Sequence, residues 1–194
     1  MKKIIALSSL ALIMFSCDIV KQTALNTYSL TQCEYNYNSI SGLNLGGVNL
    51  STGNPVSSAL ALTSLFTKSN SAIPLQFTLN LDVKNPGLQT ALLNGLQYML
   101  EIDGIEMTTG SVDSKMQVAP GEISKLPINL NFDLKKAMSG QSADAIKNLA
   151  FNFAGVGSEP TKVTFKMKPA LTIGGQKLNS PAYIPISFSY GGKK

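Results

Sequence analysis

The chain has 194 residues and a net charge of +5, with 44% hydrophobic and 14% charged side chains. That length suits one domain with a buried core, and the composition is too apolar and too weakly charged for disorder. All basic residues are Lys, His and Trp are absent, and there are two Cys, Cys17 and Cys33. No Ser-His-Asp triad, Cys-His pair or His-ligated zinc or haem can be built from this inventory, so no cofactor or metal is expected. Without Arg there is no planar fork for guanine edges or phosphates, and nucleic-acid binding is not expected.

Met1-Lys2-Lys3 is a short basic start followed by an apolar run over residues 4–15, broken only by Ser8 and Ser9. This pattern reads as an export signal, residues 1–16, and it is too short to span a bilayer. Its end, Met14-Phe15-Ser16-Cys17, resembles the lipobox of bacterial lipoproteins, in which a small residue precedes a cysteine that becomes diacylated. An ordinary leader would need small-x-small at the cut, which Met14 and Phe15 do not supply. Two or more acyl chains hold a protein stably, whereas one holds it marginally. The sequence therefore predicts lipidation at Cys17, with residues 17–27 forming the lipidated N-terminus and tether and residues 28–194 the folded domain. The address is the bacterial envelope, on the outer membrane facing the periplasm.

From Tyr28 a period-two pattern over Leu30, Cys33, Tyr35 and Tyr37, then Leu43, Leu45, Val48 and Leu50 after Gly42, predicts two strands with a bulge or bend between them. Residues 56–68 fit an amphipathic helix through Leu60, Leu62, Leu65 and Phe66. Leu75, Phe77, Leu79, Leu81 and Val83 alternate with polar residues and stop at the turn Asn85-Pro86-Gly87. Residues 97–102 and 105–109 flank Asp103-Gly104, a strong hairpin signal because both positions tolerate positive φ. Pro120-Gly121 leads into a strand over Leu126, Ile128, Leu130, Phe132 and Leu134. A helix begins at Ser142, with Asp144 in its first turn and Ile146, Leu149, Ala150 and Phe153 on one face, and stops at Gly155. Val163, Phe165, Met167, Leu171 and Ile173 then pair through Gly174-Gly175 with a returning strand holding Ile184, Ile186, Phe188 and Tyr190. About eight strands and two helices result, which predicts a mainly β chain folded as an antiparallel β-sandwich of the fibronectin or immunoglobulin type. Pro127, Pro169 and Pro185 fall inside strand patterns and are expected on edges, where Pro and Lys block intermolecular pairing, so a monomer is expected.

Residues 74–134 resemble the late embryogenesis abundant (LEA) type 2 family, also called the water stress and hypersensitive response (WHy) domain. The resemblance rests on the alternating strand of residues 75–84 running into Asn85-Pro86, on residues 96–104 ending in Asp103-Gly104, on Thr109-Gly110, and on Pro120-Gly121 leading to Leu126-Pro127. Gly87 stands where the family usually has a second Asn, and the helix from Ser142 is an addition to the minimal domain. The resemblance implies a sandwich, frequent lipoprotein anchoring, and a non-catalytic role in stress protection or binding, with no catalytic residues to carry over.

Several polar clusters invite a site. Glu101, Asp103 and Glu106 gather at one hairpin, but turn chemistry accounts for Asp103 and a wet strand face for the two Glu. Lys162, Lys166 and Lys168, with Lys177 beyond the turn, form a basic stripe that would suit anionic headgroups or a partner. Cys33, in phase with Tyr35 and Tyr37, reads as a buried thiol. Ser139-Gly140 after Lys135-Lys136 matches no nucleophile spacing and reads as a turn. The leading expectation is a membrane-anchored, non-enzymatic envelope lipoprotein that binds or shields other components. The alternative is a carrier of a lipid or other apolar ligand in a cavity under the helices.

Overall fold

A computed structural model describes residues 30–51, 54–68, 72–138, 142–173 and 176–192. The leader, Cys17, the tether and Ser139-Gly140 lie outside these residues. Nine strands are described: β1 (Glu34–Leu45), β2 (Val48–Asn49), β3 (Pro74–Lys84), β4 (Ala91–Ile102), β5 (Ile105–Val118), β6 (Ile123–Asp133), β7 (Thr161–Ile173), β8 (Gln176–Asn179) and β9 (Ile184–Tyr190). Three helices accompany them: α1 (Pro55–Lys68), α2 (Leu134–Ala137) and α3 (Ser142–Phe153). Every strand pairing is antiparallel. One sheet has the order β2-β1-β3-β6 and the other β5-β4-β7, with β8 and β9 both on the far edge of β7. The chain is thus the expected mainly β sandwich.

Alternation builds the core. Leu75, Phe77, Leu79, Leu81 and Val83 from β3 and Leu126, Ile128 and Leu130 from β6 face Leu96, Tyr98, Leu100 and Ile102 from β4 and Val163, Phe165 and Met167 from β7, all buried. Each fully buried side chain of this size stabilises the fold by about 1.5–3 kcal/mol relative to exposure. The sheet edges approach one another, β5 against β6 and β1 against β9. Tyr37 and Phe188 close the second edge, their rings stacked with centroids 3.9 Å apart.

Turn chemistry fixes the ends. Asp103 and Gly104 both take positive φ, 50° and 81°, as a two-residue hairpin turn of this hand requires. Gly46 and Gly47 do the same between β1 and β2. Asn54 caps α1, its Oδ1 accepting from the Val56 amide at 2.9 Å, with Pro55 in the first helical position. Gly155, at φ 74°, ends α3: the Gly155 amide donates to the Asn152 carbonyl and the Val156 amide to the Phe151 carbonyl, the pattern of a Schellman cap.

Four expectations change. Residues 30–32 form a helical turn, not the start of the first strand, and β1 is one strand carrying its irregularities at residues 37–39 and 41–44. Leu134 opens α2 instead of closing β6, because the Asp133 carboxylate caps the helix by accepting from the Lys135 amide. The strand returning from β7 is broken into β8 and β9. Pro169 lies in the central strand β7, not at an edge. Its carbonyl accepts from the Ser180 amide, and a strand residue turns N and C=O to the same neighbour, so the missing N–H faces the break between β8 and β9. Pro127 and Pro185 do occupy edge strands.

α3 seats on the core through Ile146, Leu149, Ala150 and Phe153. The Phe153 ring lies 6.1 Å from Phe77 and 5.0 Å from Tyr190. α1 buries Ser58 and Leu62, while Leu60, expected on its apolar face, is 70% exposed.

Candidate functional site

The basic stripe is placed on the outer face of β7, where Lys162, Lys166 and Lys168 alternate with buried Val163, Phe165 and Met167. Much of its charge is already engaged. Lys166 forms an ion pair with Glu101 on β4, and the Lys168 ammonium sits 4.4 Å from the centroid of the Tyr183 ring. Lys162 is exposed, and the side chain of Lys177 lies outside the described residues.

The acidic trio divides in the same way. Glu101 and Glu106 face each other across β4 and β5, and Lys166 offsets the repulsion of this pair from the neighbouring strand. Asp103 accepts from the Lys162 amide at 2.9 Å and donates its own amide to the Lys162 carbonyl at 2.8 Å, tying the hairpin turn to the start of β7. Among the described residues no group of three or more His, Cys, Asp or Glu is placed to hold a metal ion. Cys33 is buried, and burial pushes its thiol up to about 11 and raises the neighbouring Tyr35 phenol. A thiol so desolvated is a poor nucleophile.

Two buried Asn side chains prove structural. Asn85 is fully buried. Its Nδ2 donates to the carbonyls of Gln89 (2.8 Å) and Val118 (2.9 Å), and its Oδ1 accepts from the Gly87 amide (3.0 Å). Its backbone amide donates to Glu122 and its carbonyl accepts from Gly121. One side chain therefore locks the β3–β4 loop to the β5–β6 turn. Asn152 does the same at the other end, donating to Glu159 O and Thr161 Oγ1 and accepting from the Gly192 amide.

Sequence reasoning overlooked the outer face of the β1-β3-β6 sheet. Register aligns four rows across it: Asn36, Asp82 and Lys125; Ser39, Asn80 and Pro127; Ser41, Thr78 and Asn129; Asn44, Gln76 and Asn131. Nine of these twelve are uncharged amides or hydroxyls, and the two charged ones, Asp82 and Lys125, stand opposite each other. They are linked laterally: Asn80 Nδ2 donates to the Ser39 and Ser41 hydroxyls at 3.2 and 3.1 Å, and the Thr78 hydroxyl donates to Asn129 Oδ1 at 2.8 Å. The signal was present as the polar half of each alternation, but it becomes a surface only once register is known.

Two recesses have mainly polar walls. One of about 310 Å3 lies between Met107, Thr108, Phe132, Asp133, Lys136 and Ala137. Another of about 370 Å3 is lined by Gln97, Tyr98, Thr109, Gly110, Ser111 and Tyr183. Among the described residues every buried side-chain nitrogen and oxygen has a hydrogen-bond partner.

No family model and no curated protein matches the chain. Among solved structures, a protein from Archaeoglobus fulgidus is similar over 82% of this chain and 99% of its own, at 16% identity and a TM-score of 0.40. The solution structure of a candidate late embryogenesis abundant protein is similar over 95% of this chain and 84% of its own, at 10% identity and a TM-score of 0.37. These likenesses are loose, and the sandwich assignment rests on the strand order and register above.

Proposed function

We propose that the protein is a lipid-anchored, non-enzymatic module of the bacterial envelope that uses the polar outer face of its β1-β3-β6 sheet to bind or shield other envelope components. The observation that carries this reading is that face. Its amides and hydroxyls both donate and accept and carry no charge, a composition suited to hydrogen-bonding with hydrated surfaces rather than to proton transfer or metal chemistry. The resemblance of the sequence to the LEA type 2 family fits it, since the resembling segment, residues 74–134, supplies two of the three strands of the array. The lipobox ending at Cys17 supplies the anchor, and the outer membrane facing the periplasm is the proposed address. An apolar carrier is less well supported, because the apolar side of α3 is occupied by Phe77 and Tyr190 of the protein's own core.

The test compares the full chain with a Thr78→Lys, Asn80→Lys variant, both checked for fold by circular dichroism. Each is scored for recovery of a labile enzyme after drying and for complementation of a deletion strain under envelope stress. The reading expects protection by the wild type and its loss in the variant. Equal protection by both, or loss of a specific metabolic conversion in the deletion strain, would overturn it.

A further inference from the structure

The two loops that Asn85 locks together carry the most exposed large apolar side chains of the sheets: Leu88, 90% exposed in the β3–β4 loop, and Ile123, 64% exposed at the start of β6. Pro86 and Pro120, in the same two loops, are exposed beside them. Loop tips are ordinarily polar, and isolated exposed Leu or Ile need no explanation, but here two loops are clamped side by side so that their apolar residues share one end of the sandwich.

Register identifies that end. Glu34 pairs with Lys84, Lys84 with Ile123, and Ala91 with Val118, so β1 begins at the tip that carries Leu88 and Ile123. The described chain starts at Leu30, whose carbonyl accepts from the Tyr35 hydroxyl beside the same end. Twelve residues lie between Cys17 and Leu30, which at full extension puts the two at most ~45 Å apart. A lipid at Cys17 would therefore tether the domain through this end. Lys84 pairs with Glu34 at 3.2 Å beside this tip, and Glu122 is an exposed carboxylate in the β5–β6 turn.

We propose that the end of the sandwich led by Leu88 and Ile123 docks into the interfacial layer of the bilayer that holds the anchor, so that the lipid and the two clamped loops together fix the orientation of the domain. In this orientation the polar β1-β3-β6 face stands roughly along the membrane normal, open to the surrounding compartment. The inference rests on the anchoring reading above, and the experiment separates the two.

The chain contains no Trp, so a single introduced indole reports its site without background. The full acylated chain is prepared as Leu88→Trp, Ile123→Trp and, as the far-end control, Val156→Trp in the loop between α3 and β7. Each is reconstituted into phosphatidylcholine vesicles with and without brominated acyl chains, and flotation of the vesicles is scored in parallel. The expected result is flotation of all three, with blue-shifted and bromine-quenched emission for Leu88→Trp and Ile123→Trp and neither for Val156→Trp. Flotation with all three emissions alike overturns the docking tip and leaves the anchor intact. A blue shift at residues 88 and 123 that bromine does not quench also overturns it, since a protein surface then covers the tip. Failure to float overturns the anchor and the docking tip together.

Discussion

Replacing Asn85 tests the most closely specified part of the fold. Asn85→Ala removes three side-chain hydrogen bonds and strands the carbonyl of buried Val118, while the carbonyl of exposed Gln89 regains water. At a net ~1 kcal/mol per bond, with a further ~1 kcal/mol or more for the orphaned carbonyl, the loss is about 3–4 kcal/mol. For a chain of this size that lowers Tm by roughly 6–16 °C. Asn85→Asp is the sharper variant. It keeps the acceptor for Gly87 but turns an oxygen toward the two carbonyls that Nδ2 now serves, so at neutral pH it should be at least as damaging as Asn85→Ala. Its introduced carboxyl is held best when protonated, which raises its folded pKa above the unfolded value. The Asp variant should therefore recover stability in acid and lose it as the pH rises through the folded pKa. Urea denaturation followed by circular dichroism measures both. A loss below ~1 kcal/mol for Asn85→Ala, or an Asp variant as stable as wild type at pH 7, would refute the clamp.

Three further outcomes are expected. Gly157→Ala places a Cβ 1.9 Å from Asn152 Oδ1 and must displace the clamp that holds Glu159, Thr161 and Gly192, costing about 1–3 kcal/mol in urea denaturation. Gly110→Ala forces a Cβ to 2.6 Å from the Tyr98 hydroxyl, so it should destabilise the wild type but be largely tolerated in a Tyr98→Leu background, a coupling read by a double-mutant cycle. Burial lifts the Cys33 thiol from its ordinary 9.0 to about 11, so the stabilisation from holding it neutral is full below pH 9 and lost as the pH rises through 11. A thiol reagent at pH 8 should label Cys33 at the rate of unfolding, and Cys33→Val should flatten the alkaline loss of stability that this group contributes.

What could be seen in the sequence was whatever period and turn chemistry specify locally. The strict alternation from Leu75 to Val83, the Asp103-Gly104 hairpin and the α3 face ending at Gly155 all appear as expected, because side-chain phase or positive φ dictates them residue by residue. What was missed depends on interruptions of phase. β4 begins at Ala91, six residues before the expected start, because a register shift between Asn94 and Leu96, with Gly95 at φ 110°, moves the buried positions from 91 and 93 to 96, 98 and 100. The second half of β5 went unseen because its pattern is weak: Val112, Ser114 and Met116 are only half-buried at a sheet edge. Leu134 kept the strand phase yet became helical through a cap that is visible only once Asp133 is placed. The polar array and the apolar tip were legible only as scattered residues. Asn36, Asp82 and Lys125 become neighbours through register, and Leu88 and Ile123 through the bonds of Asn85.

Anchoring is read most directly from the mass of the mature N-terminus isolated from the membrane fraction. The mature chain should begin at Cys17 carrying two or three acyl groups, and Cys17→Ser should leave the membrane fraction without it. A mature chain starting elsewhere, or an unmodified Cys17 in a protein that remains membrane-bound, would contradict lipid anchoring.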